Sequence, residues 1–95
     1  MDNTVRRYDG QTGAFLSNFA SGGGLNVPTG LAFGPDGNLL VGSFGTNDVK
    51  RYNGTTGAFL DTFASSGLNG PIDLTFGPDG NLYVANFLGS DIRPV

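Results

Sequence analysis

Apolar and polar residues alternate in short runs along the whole chain, and Gly, Pro, Asn and Asp separate one run from the next. Alternation with a period of two is typical of β-strands, because successive side chains of a strand point to opposite faces of a sheet. No stretch has apolar residues at the three- and four-residue spacing of an amphipathic helix. The pattern therefore predicts an all-β chain.

Four predicted strands follow one another in a fixed order, and we label them a to d. They lie at 30–34, 39–44, 49–53 and 58–63, with further copies of a and b at 73–77 and 82–87 and of c and d at 5–9 and 14–19. A Pro-Asp-Gly-Asn sequence joins each strand a to its strand b. This sequence is typical of a tight hairpin turn, because Pro fixes φ and Gly accepts a positive φ.

The strands belong to an internal repeat. The segment VRRYDG at 5–10 returns as VKRYNG at 49–54, and FGPDGNL at 33–39 returns unchanged at 76–82. The offset is 44 residues in the first case and 43 in the second, because a Gly/Ser-rich loop is one residue shorter in the second copy. A four-stranded repeat of this length is typical of the blades of a β-propeller.

These motifs resemble the NHL-repeat family of β-propellers over nearly the whole chain, 5–92. The resemblance is carried by Pro71 before the inner strand, GNLYVA at 80–85, Ser90-Asp91 in the following turn and VKRY at 49–52. It implies blades of four antiparallel strands in rings of about six blades. It also implies a role in binding protein, RNA or carbohydrate, often in exported bacterial proteins, and only occasionally in catalysis, since one fold serves many functions.

The chain does not begin or end at a blade boundary. As a single domain, 1–95, it divides into an outer half-blade at 5–19, a full blade at 28–63, an inner half-blade at 71–87 and a C-terminal stub at 91–95. Two blades cannot close a ring, and unpaired strand edges template association. We therefore expect a homo-oligomer in which the inner half-blade of one chain joins the outer half-blade of the next.

Such a head-to-tail contact closes into a ring when the rotation per chain divides a full turn. We prefer three chains, since the family is commonly six-bladed, with four chains as the next choice. The stub repeats the start of strand c and competes with the neighbour's 5–9 for one position. Pro94 is disfavoured in a central strand because it lacks an N–H group, so we expect the stub to stay peripheral.

Charge and composition exclude several functions. The net charge is −3 with only five Lys and Arg residues, which argues against a nucleic-acid partner. The chain has no Cys, which excludes disulfides and thiolate metal sites, and it has no apolar run long enough to span a membrane. The N-terminus lacks the basic start and apolar stretch of a signal peptide. We therefore expect a cytoplasmic protein or, by preference, a piece of a longer exported one.

Candidate chemistry is sparse, because the chain has no His and no Glu and its carboxylates are eight Asp residues. Asp36 and Asp79 lie in the hairpin turns, and we interpret them as turn residues rather than metal ligands. The b-to-c and d-to-a loops are expected on one face of the ring. The polar residues of that face form a candidate ligand surface: Asn26, Thr29, Asn47, Asp48, Asn69, Asp73, Ser90 and Asp91. For Asp48 and Asp91 the preferred interpretation is that they cap turns by side-chain to backbone bonds.

Three functional hypotheses follow from these patterns. The preferred one is a non-enzymatic, self-assembling propeller fragment, since specialised sites usually make repeats diverge. The alternative is a module that binds protein or glycan through the loop face. The third is a propeller enzyme of the lactonase or lyase type, although the acidic and His residues used by such sites are mostly missing here. We expect no catalytic residues, no metal and no cofactor.

Overall fold

The computed structural model describes residues 3–87 and 91–94. Within these residues the chain forms strands and no helix, which confirms the predicted all-β class. None of the described residues belongs to a helix that could cross a membrane. The strands are β1 (Val5–Tyr8), β2 (Phe15–Ala20), β3 (Pro28–Phe33), β4 (Leu39–Ser43), β5 (Asp48–Tyr52), β6 (Phe59–Ala64), β7 (Pro71–Phe76), β8 (Leu82–Asn86) and β9 (Asp91–Pro94).

The strands pair in three antiparallel sheets, in chain order and without crossovers. The N-terminal sheet contains β1 and β2, the central sheet contains β3 to β6, and the C-terminal sheet contains β7 to β9. Strands that follow one another along the chain are neighbours because tight hairpins join them. The bounds of β1 to β8 agree with the predicted strands to within about two residues.

The hairpin between β3 and β4 shows why Pro-Asp-Gly-Asn makes a tight turn. Gly37 has a φ of 85°, which L side chains rarely adopt, and its N–H donates to the Gly34 carbonyl at 3.0 Å. The Asp36 carboxylate accepts the N–H of Asn38 at 3.0 Å, which fixes the exit from the turn. The same bonds recur between β7 and β8, so the sequence repeat is also a repeat of local geometry.

Both faces of the central sheet are covered by apolar side chains. One cluster lies between the central and C-terminal sheets and contains Leu40, Val49, Leu68, Leu74, Leu82 and Val84. A second cluster lies between the central and N-terminal sheets and contains Ala20, Leu25, Leu39, Val41 and Tyr52. Covering on both faces leaves every residue of β4 buried, and apolar burial of this kind is the main favourable term in folding.

The first strands of neighbouring sheets come very close together. A β-carbon at Gly30 in β3 would lie 2.7 Å from the α-carbon of Asp73 in β7, so glycine is required there. One residue earlier, the Thr29 hydroxyl donates to the Pro71 carbonyl at 2.8 Å. The central and C-terminal sheets are therefore joined by direct contact between backbones, not only by side-chain packing.

Two asparagines make equivalent links between sheets. Asn47, before β5, has a φ of 58°, and its Oδ1 accepts the N–H of Gly70 at 2.8 Å in the loop that enters the C-terminal sheet. Asn3, before β1, has a φ of 52°, and its Oδ1 accepts the N–H of Val27 at 2.9 Å in the loop that enters the central sheet. Asparagine suits both positions because it tolerates left-handed backbone better than most residues.

The C-terminal stub does not stay peripheral in the single chain. Asp91–Pro94 forms β9 and pairs antiparallel with β8, with Asp91 opposite Asn86 and Pro94 opposite Tyr83. The expectation assumed a competing strand from a neighbour and a position between two strands. In the single chain β9 is the edge of its sheet, where a residue without an N–H group is tolerated.

Replacing Asn47 separates the two contributions of this residue to stability. Asn47→Gly keeps the backbone conformation and loses the bond to Gly70, which we expect to cost about 1 kcal/mol. Asn47→Ala loses the same bond and leaves a β-carbon in the left-handed region without the local hydrogen bonding by which asparagine tolerates it, at a further cost of about 1–2 kcal/mol relative to glycine. Urea unfolding of both variants tests this order. Equal losses for the two would contradict the conformational part, and no loss in either would contradict the link itself.

Candidate functional site

A buried polar network lies at one end of the central sheet. Alternation along β5 places Asp48 and Lys50 on the same face, and Ser43 lies opposite Asp48 in β4. Lys50 Nζ lies 3.0 Å from Asp48 Oδ2, and both side chains are largely buried. Removing one partner of a buried ion pair leaves the other charge uncompensated. Each of these two residues therefore makes the burial of the other tolerable.

Hydroxyl groups extend the network from Asp48 to the loop before β3. Thr46 Oγ1 lies 2.7 Å from Asp48 Oδ1 and 2.6 Å from Ser43 Oγ. Thr46 has one hydroxyl proton, and the charged carboxylate is its stronger acceptor. Ser43 Oγ accepts the N–H of Asn26 at 3.0 Å and lies 3.1 Å from the carbonyl of the same residue. The network thus ties a b-to-c loop to a d-to-a loop.

This network is satisfied internally. No buried side-chain nitrogen or oxygen in the part of the chain that the structure describes lacks a hydrogen-bond partner. Buried polar groups that are fully paired hold one arrangement of the chain, because any rearrangement leaves a group unpaired. The geometry of the network therefore accounts for the positions of the two loops.

Tyr52 follows Asp48 and Lys50 on the same face of β5 and is fully buried. Its hydroxyl donates to the Gly22 carbonyl at 2.8 Å. Burial, and after it the negative charge of Asp48, raises the pKa of Tyr52 to about 12. The phenol is therefore neutral at physiological pH, where it acts as a hydrogen-bond donor and not as a base.

The turn aspartates accept hydrogen bonds from their own turns. The N–H of Asn38 lowers the pKa of Asp36, and the Tyr83 hydroxyl, followed by the N–H of Asn81, lowers the pKa of Asp79. The bond from Tyr83 to Asp79 is 2.6 Å long. Among the described residues no group of three His, Cys, Asp or Glu side chains is placed to hold a metal ion.

Of the predicted loop-face residues that the structure describes, most take part in contacts within the chain. The backbone of Asn26 contacts Ser43, Thr29 contacts the Pro71 carbonyl, Asn47 contacts Gly70, Asp48 contacts Lys50, and the N–H of Asn69 donates to Asn86 Oδ1 at 3.1 Å. Asp73 is exposed, and its Oδ1 accepts the N–H of Leu74 at 2.9 Å.

Two of the predicted residues lie near the C-terminus. Ser90 lies outside the described residues, and of Asp91 the structure describes the strand pairing with Asn86. The ligand-binding role of the loop face therefore stays a prediction. For Asp48 the structure gives a different local partner from the expected turn cap, because its carboxylate binds the side chains of Thr46 and Lys50.

A second candidate region is an open groove beside β1, on the opposite side of β1 from β2. Its volume is about 380 Å³. Apolar side chains and the stems of arginines line it, among them Val5, Arg7, Tyr8, Leu31, Phe33 and Leu39. Leu31 and Phe33 are 53% and 60% exposed, although every residue of the adjacent strand β4 is buried. Such exposure of large apolar side chains next to a buried strand is unusual.

The groove exists because the N-terminal sheet has only two strands. In the central sheet, β5 pairs with β4 on one side and β6 on the other, whereas the equivalent strand β1 pairs with β2 alone among the described strands. The sequence alone did not single out Leu31 and Phe33 as site residues. A comparison within the repeat could have identified them. Their equivalents Leu74 and Phe76 pack on the central sheet, whereas no described sheet covers Leu31 and Phe33 in the same way.

In the part of the chain that the structure describes, the protein is therefore all-β, and its repeated sheets leave the groove and the neighbouring edge of β1 open. No protein-family model matches its sequence, and no curated protein sequence matches it either.

A double-mutant cycle tests the buried ion pair. We expect Lys50→Met to cost about 3 kcal/mol, because the Asp48 carboxylate stays buried without its cation. In the double variant Asp48→Asn/Lys50→Met neither charge remains, so its cost should be at least about 1 kcal/mol below the sum of the two single variants. Urea unfolding at pH 7 provides the four values. Additive costs would mean that the two side chains do not interact.

The raised pKa of Tyr52 leads to a prediction of how the free energy of unfolding changes at alkaline pH. Its pKa is raised in the folded state, so the stability that its protonated form provides is complete below about pH 10 and is lost as the pH rises towards 12. A difference of about two pH units corresponds to roughly 2–3 kcal/mol. Tyr52→Phe should lose about 1 kcal/mol at pH 7 and should then be less sensitive to pH between 10 and 12. Parallel urea titrations at several pH values measure this, and identical pH profiles would contradict it.

Proposed function

We propose that this chain is a non-enzymatic, self-assembling β-propeller fragment. In this proposal the three sheets correspond to an outer half-blade, a full blade and an inner half-blade, and copies join head to tail to close a ring. The groove beside β1 is the place where the inner half-blade of a second copy binds. The proposal rests on one comparison between the two halves of the repeat.

Leu31 and Leu74 are equivalent in the repeat but differ in their surroundings. Leu74 in β7 is 5% exposed, because the central sheet packs against it, whereas Leu31 in β3 is 53% exposed. Phe76 likewise packs against the buried cluster between the central and C-terminal sheets, whereas its equivalent Phe33 is exposed. A sheet placed against Leu31 and Phe33 as the central sheet lies against β7 would bury both side chains, at roughly 1.5–3 kcal/mol for each.

The chain itself contains a surface that suits this position. The central sheet covers Leu74 with small and apolar residues of its own face, including Gly30, Ala32, Leu40 and Gly42. In the C-terminal sheet the equivalent residues are Asp73, Thr75, Tyr83 and Ala85, and they line a shallow concavity on the side away from the central sheet. A second copy is therefore the partner whose geometry repeats a contact already present within one chain.

The proposed contact between two chains cannot reproduce in full the contact between the central and C-terminal sheets of one chain. Gly30 lets β3 and β7 approach closely, but its equivalent Asp73 carries a β-carbon and a carboxylate. The inner strands must therefore stand further apart where two copies meet than where two sheets of one chain meet. A wider inner spacing means a smaller rotation per sheet and so favours a larger ring. Three chains are expected from the family resemblance, and Asp73 favours four.

Two experiments test the proposal together: a measurement of the protein's mass in solution, and a variant that places a charged side chain in the groove. Light scattering after size-exclusion chromatography should give a single species at three or four times 9.8 kDa. Leu31→Asp removes an apolar contact worth roughly 2 kcal/mol, about thirtyfold in affinity, and places a charge in the groove. We expect this variant to remain folded by circular dichroism and to elute as a monomer.

Leu16→Asp is the matched control for this experiment. Leu16 is 51% exposed, nearly the same as Leu31, but it lies on β2 and does not line the groove. This variant should assemble like the wild type. A wild-type protein that is monomeric at high concentration would overturn the proposal, as would equal assembly of the Leu31 and Leu16 variants.

A further inference from the structure

We infer that the hairpin of β1 and β2 from one copy completes the C-terminal sheet of another, with β1 in the position beside β8 that β9 occupies in the single chain. The inference rests on the proposed function, and it specifies which strands exchange and in which register. Under it, the C-terminal strand is a competitor of assembly. Three observations on different parts of the molecule support it.

The first observation is the register that the repeat imposes. In the central sheet Gly42 of β4 lies opposite Val49 of β5, and Leu39 lies opposite Tyr52. The equivalent residues are Ala85 and Leu82 in β8 and Val5 and Tyr8 in β1. Strand β1 would therefore lie antiparallel to β8 with Val5 opposite Ala85. In the single chain Ile92 of β9 lies opposite Ala85, so β1 and β9 require the same hydrogen-bonding edge.

The second observation is a glycine whose local surroundings do not require it. Gly54, in the turn after β5, lies so close to the carbonyl of Gly37 that a β-carbon would collide with it, and its N–H donates to Asn38 Oδ1 at 3.1 Å. Its equivalent, Gly10, has nothing within 4 Å of the position of a β-carbon, and its φ is not positive. The proposed exchange gives Gly10 the missing neighbour, which is the turn around Gly80 of the second copy.

The third observation is an ion pair of the central sheet whose two residues both have charged equivalents in the repeat. Arg51 Nη1 of β5 lies 3.5 Å from Asp36 Oδ2, in the turn that leads into β4. The exchange would place the equivalent Arg7 of one copy beside Asp79 of the other. An exposed pair of this kind contributes little energy. It nevertheless favours the proposed register over one shifted by a residue, which would move the arginine to the other face of the sheet.

Strand β9 of the same chain and strand β1 of a second copy would pair with the same edge of β8, but they differ in what else each one contributes. Strand β9 is held close by the short connection to β8, which gives it a high effective concentration. It ends in Pro94, which cannot donate to a ladder, and no strand lies beyond it among the described residues. Strand β1 arrives with β2 and completes a four-stranded sheet, and the same step covers Leu31 and Phe33. The exchange should therefore depend on concentration, with β9 bound in the dilute protein and β1 bound in the assembled one.

Pairs of introduced cysteines test the exchange, because the chain has no cysteine of its own. In Val5→Cys/Ala85→Cys the two thiols lie on the N-terminal and C-terminal sheets of one chain but opposite each other across the proposed junction. Residues that face each other in an antiparallel pair are close enough for a disulfide. Oxidation of the assembled protein should give covalent oligomers on a denaturing, non-reducing gel. Val5→Cys alone is the control, because with one thiol per chain it can form no covalent species larger than a dimer. A double variant that gives nothing larger than a dimer either would overturn the inference.

Ala85→Cys/Ile92→Cys provides the opposite test. Its disulfide locks β9 on β8 within one chain, and light scattering should then show a monomer that assembles when a reductant is added. Assembly of the locked, oxidised protein would overturn the inference but leave the proposed function intact, since copies would then join without the edge of β8. A wild-type protein that does not assemble at all would overturn both.

Gly10→Ala tests the register without cysteines. The single chain has room for the added methyl group, so its circular dichroism and its melting temperature as a dilute monomer should match the wild type. The methyl group would meet the turn of the second copy, and the concentration for half assembly should rise about tenfold or more, the effect of 1.4 kcal/mol. Gln11→Ala, one residue further along the same turn, is the control. Unchanged assembly of Gly10→Ala would contradict the proposed register.

Discussion

Face-to-face packing of neighbouring sheets is the contact on which the rest of this structure depends. The central sheet carries apolar side chains on both faces, so any part of a face without a neighbouring sheet leaves apolar side chains exposed. The central sheet is covered on both sides, and all of β4 is buried as a result. The N-terminal and C-terminal sheets are each covered on one side only. Leu31 and Phe33 lie on β3 of the central sheet, and they are exposed because the N-terminal sheet, with the two strands β1 and β2, does not cover β3.

The inter-sheet contact also explains which polar residues are buried. At the junction of the central and C-terminal sheets, Gly30 admits the backbone of β7, and Asn47 binds the loop that leads into it. Within the central sheet, Asp48 and Lys50 neutralise each other beneath the loop before β3. These residues are polar or small because backbones and loops, not only side chains, meet there. A larger residue or an unpaired charge would hold the sheets apart.

Local structure was readable from the sequence, whereas the surroundings of each residue were not. The strands and hairpins follow from alternation and from the Pro-Asp-Gly-Asn turns, which act over a few residues. The sequence placed Asp48 in a loop of the candidate ligand face, with turn capping as its preferred role, and it could not indicate that Asp48 lies buried against Lys50, because the loop before β3 folds over the pair. Similarly, the sequence gives Leu31 and Leu74 the same role, and only the position of the sheets makes one exposed and the other buried. Such differences depend on contacts that no local pattern contains.

In the proposed assembly, the C-terminal strand both competes with a second copy and selects for it, because residues 91–94 are a partial copy of the repeat. Residues 91–94 repeat the start of β5, so they can pair with β8 as β5 pairs with β4. This pairing covers an edge that would otherwise template association of any exposed strand. It covers the edge with a short strand that contains proline, and under the proposed exchange a complete hairpin with the same repeat register replaces that strand. Under the proposed exchange, an edge that is protected weakly and by a related sequence would therefore discriminate between partners, since only a strand that matches the register would gain more than it displaces.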